Sequence, residues 1–168
     1  MNEISIITRG TRITKIELIK NAEYPVISGG SKEMGRYHKF NREKNTITIA
    51  QYGTAGFIAW QENNFWANDV CYSIVGRENL NQKFLYYFLK SRQKNIYDLL
   101  TNAIPQHLPF EKLKNFLIPI PPIEVQTKIV EILDHFDTIC NDISKGIPAE
   151  IKMRQEQYKY YRKKLFTF

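Results

Sequence analysis

"NTITIAQYGTAGFIAW", Asn45 to Trp60, decides how this chain folds. Ile47 and Ile49 alternate with Thr46 and Thr48, the two-residue period that puts successive side chains on opposite faces of a strand. Tyr52-Gly53-Thr54-Ala55-Gly56 then supplies two turn glycines, residues that reach positive φ without a steric penalty. Phe57 to Trp60 reads as the return strand.

The neighbouring stretches extend the pattern. "NDVCYSIV" (Asn68–Val75) is a further strand, and "ISII" (Ile4–Ile7) is a short one that leaves through Arg9-Gly10-Thr11. "YPVISGGS" (Tyr24–Ser31) is another, broken at Gly29-Gly30. From Asn81 the period changes. Phe84, Leu85, Phe88, Leu89, Ile96, Leu99 and Leu100 recur at helical spacing, with an interruption around Ser91–Asn95. This aromatic-rich helix is expected to pack on the sheet. A short helix at Phe110–Lys114 and a final strand at Asn115–Ile120 complete the reading.

After Pro122 the character shifts again. Pro119, Pro121 and Pro122 lock φ and lack an N–H, which suits a rigid exit into the helix that follows. Ile129, Ile132, Leu133, Phe136, Ile139, Cys140 and Ile143 form an unbroken apolar helical stripe, ended by Ser144-Lys145-Gly146. Ile151, Tyr158 and Leu165 recur every seventh residue, with Ile147, Arg154, Tyr161 and Phe168 at the second heptad position, a coiled-coil seam. The expected fold class is α+β: a mixed or antiparallel β-rich domain with packed helices over residues 1–122, then a helical arm forming a coiled coil over residues 123–168. Pairing of the arm with a second copy through Ile147, Ile151, Arg154, Tyr158, Tyr161 and Leu165 would bury the seam.

Charge separates the same regions. The chain is net +7 overall. Residues 1–122 are basic, residues 123–146 acidic and residues 147–168 basic again, and the basic residues are dense between Arg9 and Lys44. That is the electrostatic footprint of a nucleic-acid binder. No apolar run approaches the roughly 20 residues of a membrane span, and Met1-Asn2-Glu3-Ile4 is not the start of a secretory signal. Cys71 and Cys140 have no metal-ligand spacing and read as buried thiols of a reducing cytoplasm.

Catalytic signatures are missing from the sequence. There is no Gly-rich phosphate loop, nucleophile elbow or zinc-binding helix motif, and His38, His107 and His135 are scattered. His107, between two prolines, reads as a loop residue with a backbone hydrogen bond. No enzyme activity, cofactor or metal is expected. Contacts to double-stranded DNA are expected from Arg9, Arg12, Lys15, Lys32, Arg36, Lys39 and Arg42, which can reach phosphates or guanine edges. Tyr37, Gln51, Tyr52, Thr54 and Asn68 are expected to add adaptable hydrogen bonds.

Four stretches resemble the specificity subunit of type I restriction-modification systems. They are "ITRGTRITK" (Ile7–Lys15), "YPVISGG" (Tyr24–Gly30), Asn45–Cys71, and "IPIPPIEVQTKIVEILDHFD" with the heptad segment that follows it to Leu165. The resemblance implies one non-catalytic target recognition domain and one conserved helical region. It implies partnership with modification subunits, and with a restriction subunit where one is present. A full-length member carries two of each region and reads a bipartite target, whereas this chain has one of each. It is therefore expected to be a homodimerising half-subunit, a truncation or an excised half. A homodimer would read a palindromic bipartite target. The alternative is a coiled-coil protein-interaction scaffold left by a decayed specificity subunit.

Overall fold

A computed structural model describes residues 1–138 together with Arg154, Glu156 and Gln157. The chain divides into two compact units, Met1–Thr127 and Lys128–Phe168. The first unit is α+β. Its strands are β1 (Ser5–Arg9), β2 (Tyr24–Ile27), β3 (Gly35–Tyr37), β4 (Thr46–Ala50), β5 (Ile58–Gln61), β6 (Trp66–Ala67) and β7 (Cys71–Gly76). Its helices are α1 (Gln82–Ser91), α2 (Gln93–Tyr97) and α3 (Phe110–Lys114). A further helix, α4, covers residues 123–138.

Two sheets result. One is antiparallel in the order β1-β7-β4-β5; the other, β3-β2-β6, has an antiparallel and a parallel pair. The hairpin of Asn45–Trp60 forms as its sequence requires, with Ile49 opposite Ile58 and Ile47 opposite Trp60. Ile47, Ile49, Ile58, Tyr72 and Ile74 turn one face of the larger sheet toward Leu85, Leu89, Ile96, Leu108 and Leu113, all of them fully buried. The α1–α2 break expected near Ser91 falls at Arg92, whose φ of −102° and ψ of 20° leave the helical region.

One expected strand does not form, and two further features go beyond the sequence pattern. Thr46 and Thr48 are buried along with the isoleucines, and Thr48 lines a cleft shared with Pro25, Ile27 and the loop after β2. Their hydroxyls are satisfied: that of Thr46 donates to the Glu43 carbonyl, and that of Thr48 accepts from Gln61 Nε2 at 2.9 Å. Asn115–Ile120 is not a strand. Residues 116–120 adopt no regular structure, and Pro119 and Pro121 remove the donors a ladder would need. β3 and β6, three and two residues long, have too little sequence to show a period and were not expected.

One glutamine joins the start of α4 to the body of the first unit. Gln126 is fully buried; its Oε1 accepts from the Asn81 N–H at 2.8 Å, and its Nε2 donates to the carbonyls of Pro121 at 2.8 Å and Asn79 at 3.1 Å. Asn81 in turn caps α1, its side chain accepting from the N–H groups of Lys83 and Phe84. Of the apolar stripe, Ile129 and Leu133 are half-buried, Ile132 and Phe136 are exposed, and Ile139, Cys140 and Ile143 lie outside the described residues. In the heptad segment Arg154 is helical and exposed, while Ile147, Ile151, Tyr158, Tyr161 and Leu165 lie outside the described residues.

Replacing Gln126 with Leu removes the partner of one N–H and two carbonyls at once. Gln126→Leu is expected to lower stability by about 2–4 kcal/mol, measured as urea unfolding through Trp60 and Trp66 fluorescence. The exposed neighbour substitution Glu124→Ala is expected to change it by less than about 1 kcal/mol.

Candidate nucleic-acid interface

The end of the larger sheet where β1 and β4 finish and β7 begins gathers several connections. Arg9, the last residue of β1, donates from Nη2 to Gln51 Oε1 at 2.7 Å. Gln51 follows β4, donates its backbone N–H to the Val70 carbonyl at 2.8 Å, and accepts from the Leu108 N–H at 2.9 Å. Arg42 donates from Nη2 to the Arg9 carbonyl at 2.7 Å and from Nη1 to its neighbour Asn41 at 2.6 Å. The 51–57 turn is fastened to the loop after β2, since Thr54 donates both its N–H (2.7 Å) and its hydroxyl (3.0 Å) to the Gly29 carbonyl. Gly53, at φ +74°, could not carry a side chain here: a Cβ would stand 2.5 Å from that same carbonyl. Tyr52 stacks on His107 with ring centres 5.2 Å apart and planes 22° apart.

The expected contact residues divide by exposure. Arg9, Arg12, Lys15, Lys32, Lys39 and Thr54 are exposed. The side chains of Arg12, Lys15, Lys32 and Lys39 have no hydrogen-bond or ion-pair partner among the described residues. Lys15 rides a 3-10 turn, Lys15–Glu17, held by the Glu17 carboxylate, which accepts from the Thr14 N–H at 2.7 Å and hydroxyl at 2.8 Å. Those bonds hold the Glu17 carboxyl below its ordinary pKa. Lys32 belongs to a loop that lines one wall of a cleft of about 310 Å³, with Thr48, Gln61 and Cys71 on the other wall.

Other expected residues are engaged inside the fold. Arg36, half-buried on β3, donates to the Glu23 carbonyl at 2.9 Å and lies 3.6 Å from the Glu33 carboxylate. Tyr37 packs edge-on against Trp66 at 5.0 Å, and Trp66 Nε1 donates to the Thr11 carbonyl at 2.8 Å. Arg36, Tyr37 and Lys39 thus belong to the smaller sheet and the segment after it, while Arg9, Arg42, Gln51, Tyr52, Thr54 and Asn68 gather at the end of the larger sheet.

Asn68 has no surface to offer, being 4% exposed. Its Oδ1 accepts from the N–H of Ile13 (3.1 Å) and of Asp69 (2.8 Å), and its Nδ2 donates to the Ile13 carbonyl at 3.2 Å. This carboxamide is buried and holds the 10–14 segment in place. Gln51, 7% exposed, plays a similar part. The loop position and backbone hydrogen bond expected of His107 are present, its carbonyl accepting from the Thr101 N–H at 3.0 Å, but its stacking was not expected; the stacking partner lies 55 residues away, and no local signal points to it. Cys71 is buried, and burial pushes its thiol up to about 12 against the opposing pull of the Arg42 charge. It is an inert thiol at neutral pH. Among the described residues, no three His, Cys, Asp or Glu side chains come together as metal ligands, and no helix is long and apolar enough to cross a membrane.

The family model for the type I restriction modification DNA specificity domain matches residues 1–153. The chain belongs to this family. It is 32% identical over 174 residues to the MpnII specificity subunit of Mycoplasma pneumoniae, covering 100% of this chain and 52% of that protein. It is 42% identical over 98 residues to the EcoR124I/EcoR124II specificity subunit of Escherichia coli, covering 57% of this chain and 24% of that one. The crystal structure of the type I S subunit from M. genitalium superposes with a TM-score of 0.77 at 28% identity, over 92% of this chain and 42% of that chain. The HsdS subunit of Thermoanaerobacter tengcongensis shares the fold at a TM-score of 0.65 and 17% identity. The chain therefore spans about half the length, or less, of these specificity-subunit relatives.

Asn68→Ala is expected to lower stability by about 2–3 kcal/mol, because it strands the Ile13 N–H and carbonyl in a buried site. Urea unfolding of the two proteins measures the difference; an unchanged midpoint would contradict the bracketing role.

Proposed function

We propose that this specificity-family chain reads one half of a bipartite double-stranded DNA target for a type I modification complex and performs no chemistry itself. The observation that carries this reading is the cross-braced sheet end. Connections from β1, β2, β4 and the 101–108 loop are fastened to one another, and cations stand exposed on and beside them. Exposed cations supply phosphate contacts that set register and general affinity. Braced loops lose little conformational entropy on binding, so contact energy is not spent on ordering them. Within this reading, residues 1–122 are the target recognition domain and residues 123–168 the spacer that docks modification subunits. Two copies pair through their C-terminal helices, giving a palindromic target, and the assembly works in the cytoplasm.

Charge removal provides the test. Binding of the full chain to mixed-sequence duplex DNA is measured against salt concentration for the wild type, Arg12→Ala and Lys32→Ala. Each substitution is expected to weaken binding on every sequence and to reduce the log–log salt slope by about 1. Binding and slope that stay at wild-type values in both variants would contradict this placement of the interface.

A further inference from the structure

The loop between α2 and α3 has a neck and a tip of opposite character. At the neck the Thr101 N–H donates to the His107 carbonyl at 3.0 Å, the His107 N–H donates to Thr101 Oγ1 at 3.2 Å, and that hydroxyl lies 3.0 Å from His107 Nδ1. The neck is seated on the molecule twice over. His107 stacks on Tyr52, and the fully buried Leu108 donates its N–H to Gln51 while its carbonyl accepts from the Tyr72 hydroxyl at 3.3 Å. The tip, residues 102–106, is exposed throughout. Ile104 is as accessible as in an extended chain, at 101%.

A single exposed apolar side chain is common on protein surfaces; what sets Ile104 apart is its place on a loop with a locked base, between two exposed carboxamides. Its neighbours indicate what it meets. Asn102 and Gln106 flank it, and neither carboxamide has a hydrogen-bond partner among the described residues. The tip carries no charge, so it lacks the cations that dominate phosphate binding. A carboxamide can make two hydrogen bonds to adenine N6 and N7 in the major groove, and an aliphatic side chain meets the thymine methyl there. The tip thus presents partners for both members of an A·T pair. Through Tyr52 and Gln51 its base is tied to Arg9, at the sheet end already described.

We infer that the 102–106 tip enters the major groove and selects A·T base pairs through Asn102, Ile104 and Gln106. This rests on the DNA-reading role proposed above and names residues that set specificity within it. His107 and Thr101 are positioning residues that hold the tip in place.

The test uses the full chain and a pool of synthetic duplexes with a randomised tract, sequencing the bound fraction. Wild type, Ile104→Ala and the double variant Asn102→Ala/Gln106→Ala are compared. The tip touches no core, so thermal midpoints are expected to match wild type. The wild-type motif is expected to contain A·T positions whose preference falls about 5- to 100-fold in the variants. Affinity for mixed-sequence duplex is expected to stay within about twofold, since phosphate contacts are untouched. A wild-type motif that persists unchanged in both variants overturns the inference and leaves the DNA-reading role standing. Equal weakening on every sequence also overturns it, because that marks a backbone contact. A wild-type chain that enriches no sequence overturns the DNA-reading role and this inference together.

Discussion

Gln51 ties four segments at a single point. It follows β4, holds Arg9 at the end of β1 through its side chain, and bonds through its backbone to Val70 just before β7 and to Leu108 in the loop between α2 and α3. Gln51 itself is 7% exposed, and out of water its bonds are stronger and an unmade partner is more costly. The braces further out build on this one. Tyr52, the next residue, stacks on His107; Thr54 fastens the turn to Gly29; Arg42 closes on the Arg9 carbonyl. Loops of this length would otherwise sample many conformations, and their ordering would count against binding. Polar bonds at the root leave the outer side chains free and their backbone fixed.

In the proposed reading, frame and contact are carried by different residues. The frame is Asn68, Gln51, Gly53 and the aromatic pairs, all engaged within the fold. The surface is Arg12, Lys15, Lys32, Lys39 and the 102–106 tip, whose side chains make no hydrogen bond or ion pair among the described residues. Substitutions at the surface leave the fold's bonds intact. Gln126 follows the same logic: a buried carboxamide joins the first turn of α4 to the cap of α1, so the helix start is bonded to the first unit through three hydrogen bonds.

Much of this was legible in the sequence, and the exceptions have physical causes. The Asn45–Trp60 hairpin was readable because its turn glycines and its alternation both act within the stretch itself. The Phe110–Lys114 helix was readable for a similar reason, starting directly after Pro109. Asn115–Ile120 is apolar enough for a strand, yet Pro119 and Pro121 deny it a ladder, and composition alone made it look paired. Asn68 and Gln51 read as surface polar residues because a sequence does not say which carboxamide will meet a stranded backbone N–H or a guanidinium from far along the chain. His107 was hidden likewise, its role fixed by Tyr52. The positive charge pointed only to the first third of the chain; the bracing singles out one sheet end and a smaller set of side chains, on which the proposed interface rests.

The central claim is that these connections act together as one DNA-facing surface. Backbone amide hydrogen exchange of the full chain, with and without bound duplex DNA, tests it most directly. The account predicts slowed exchange together in residues 9–12, 28–32, 51–54 and 101–107, with α1 and α3 unchanged. Protection confined to α1, α3 and the segment around Leu117, with those four connections unaffected, would contradict it.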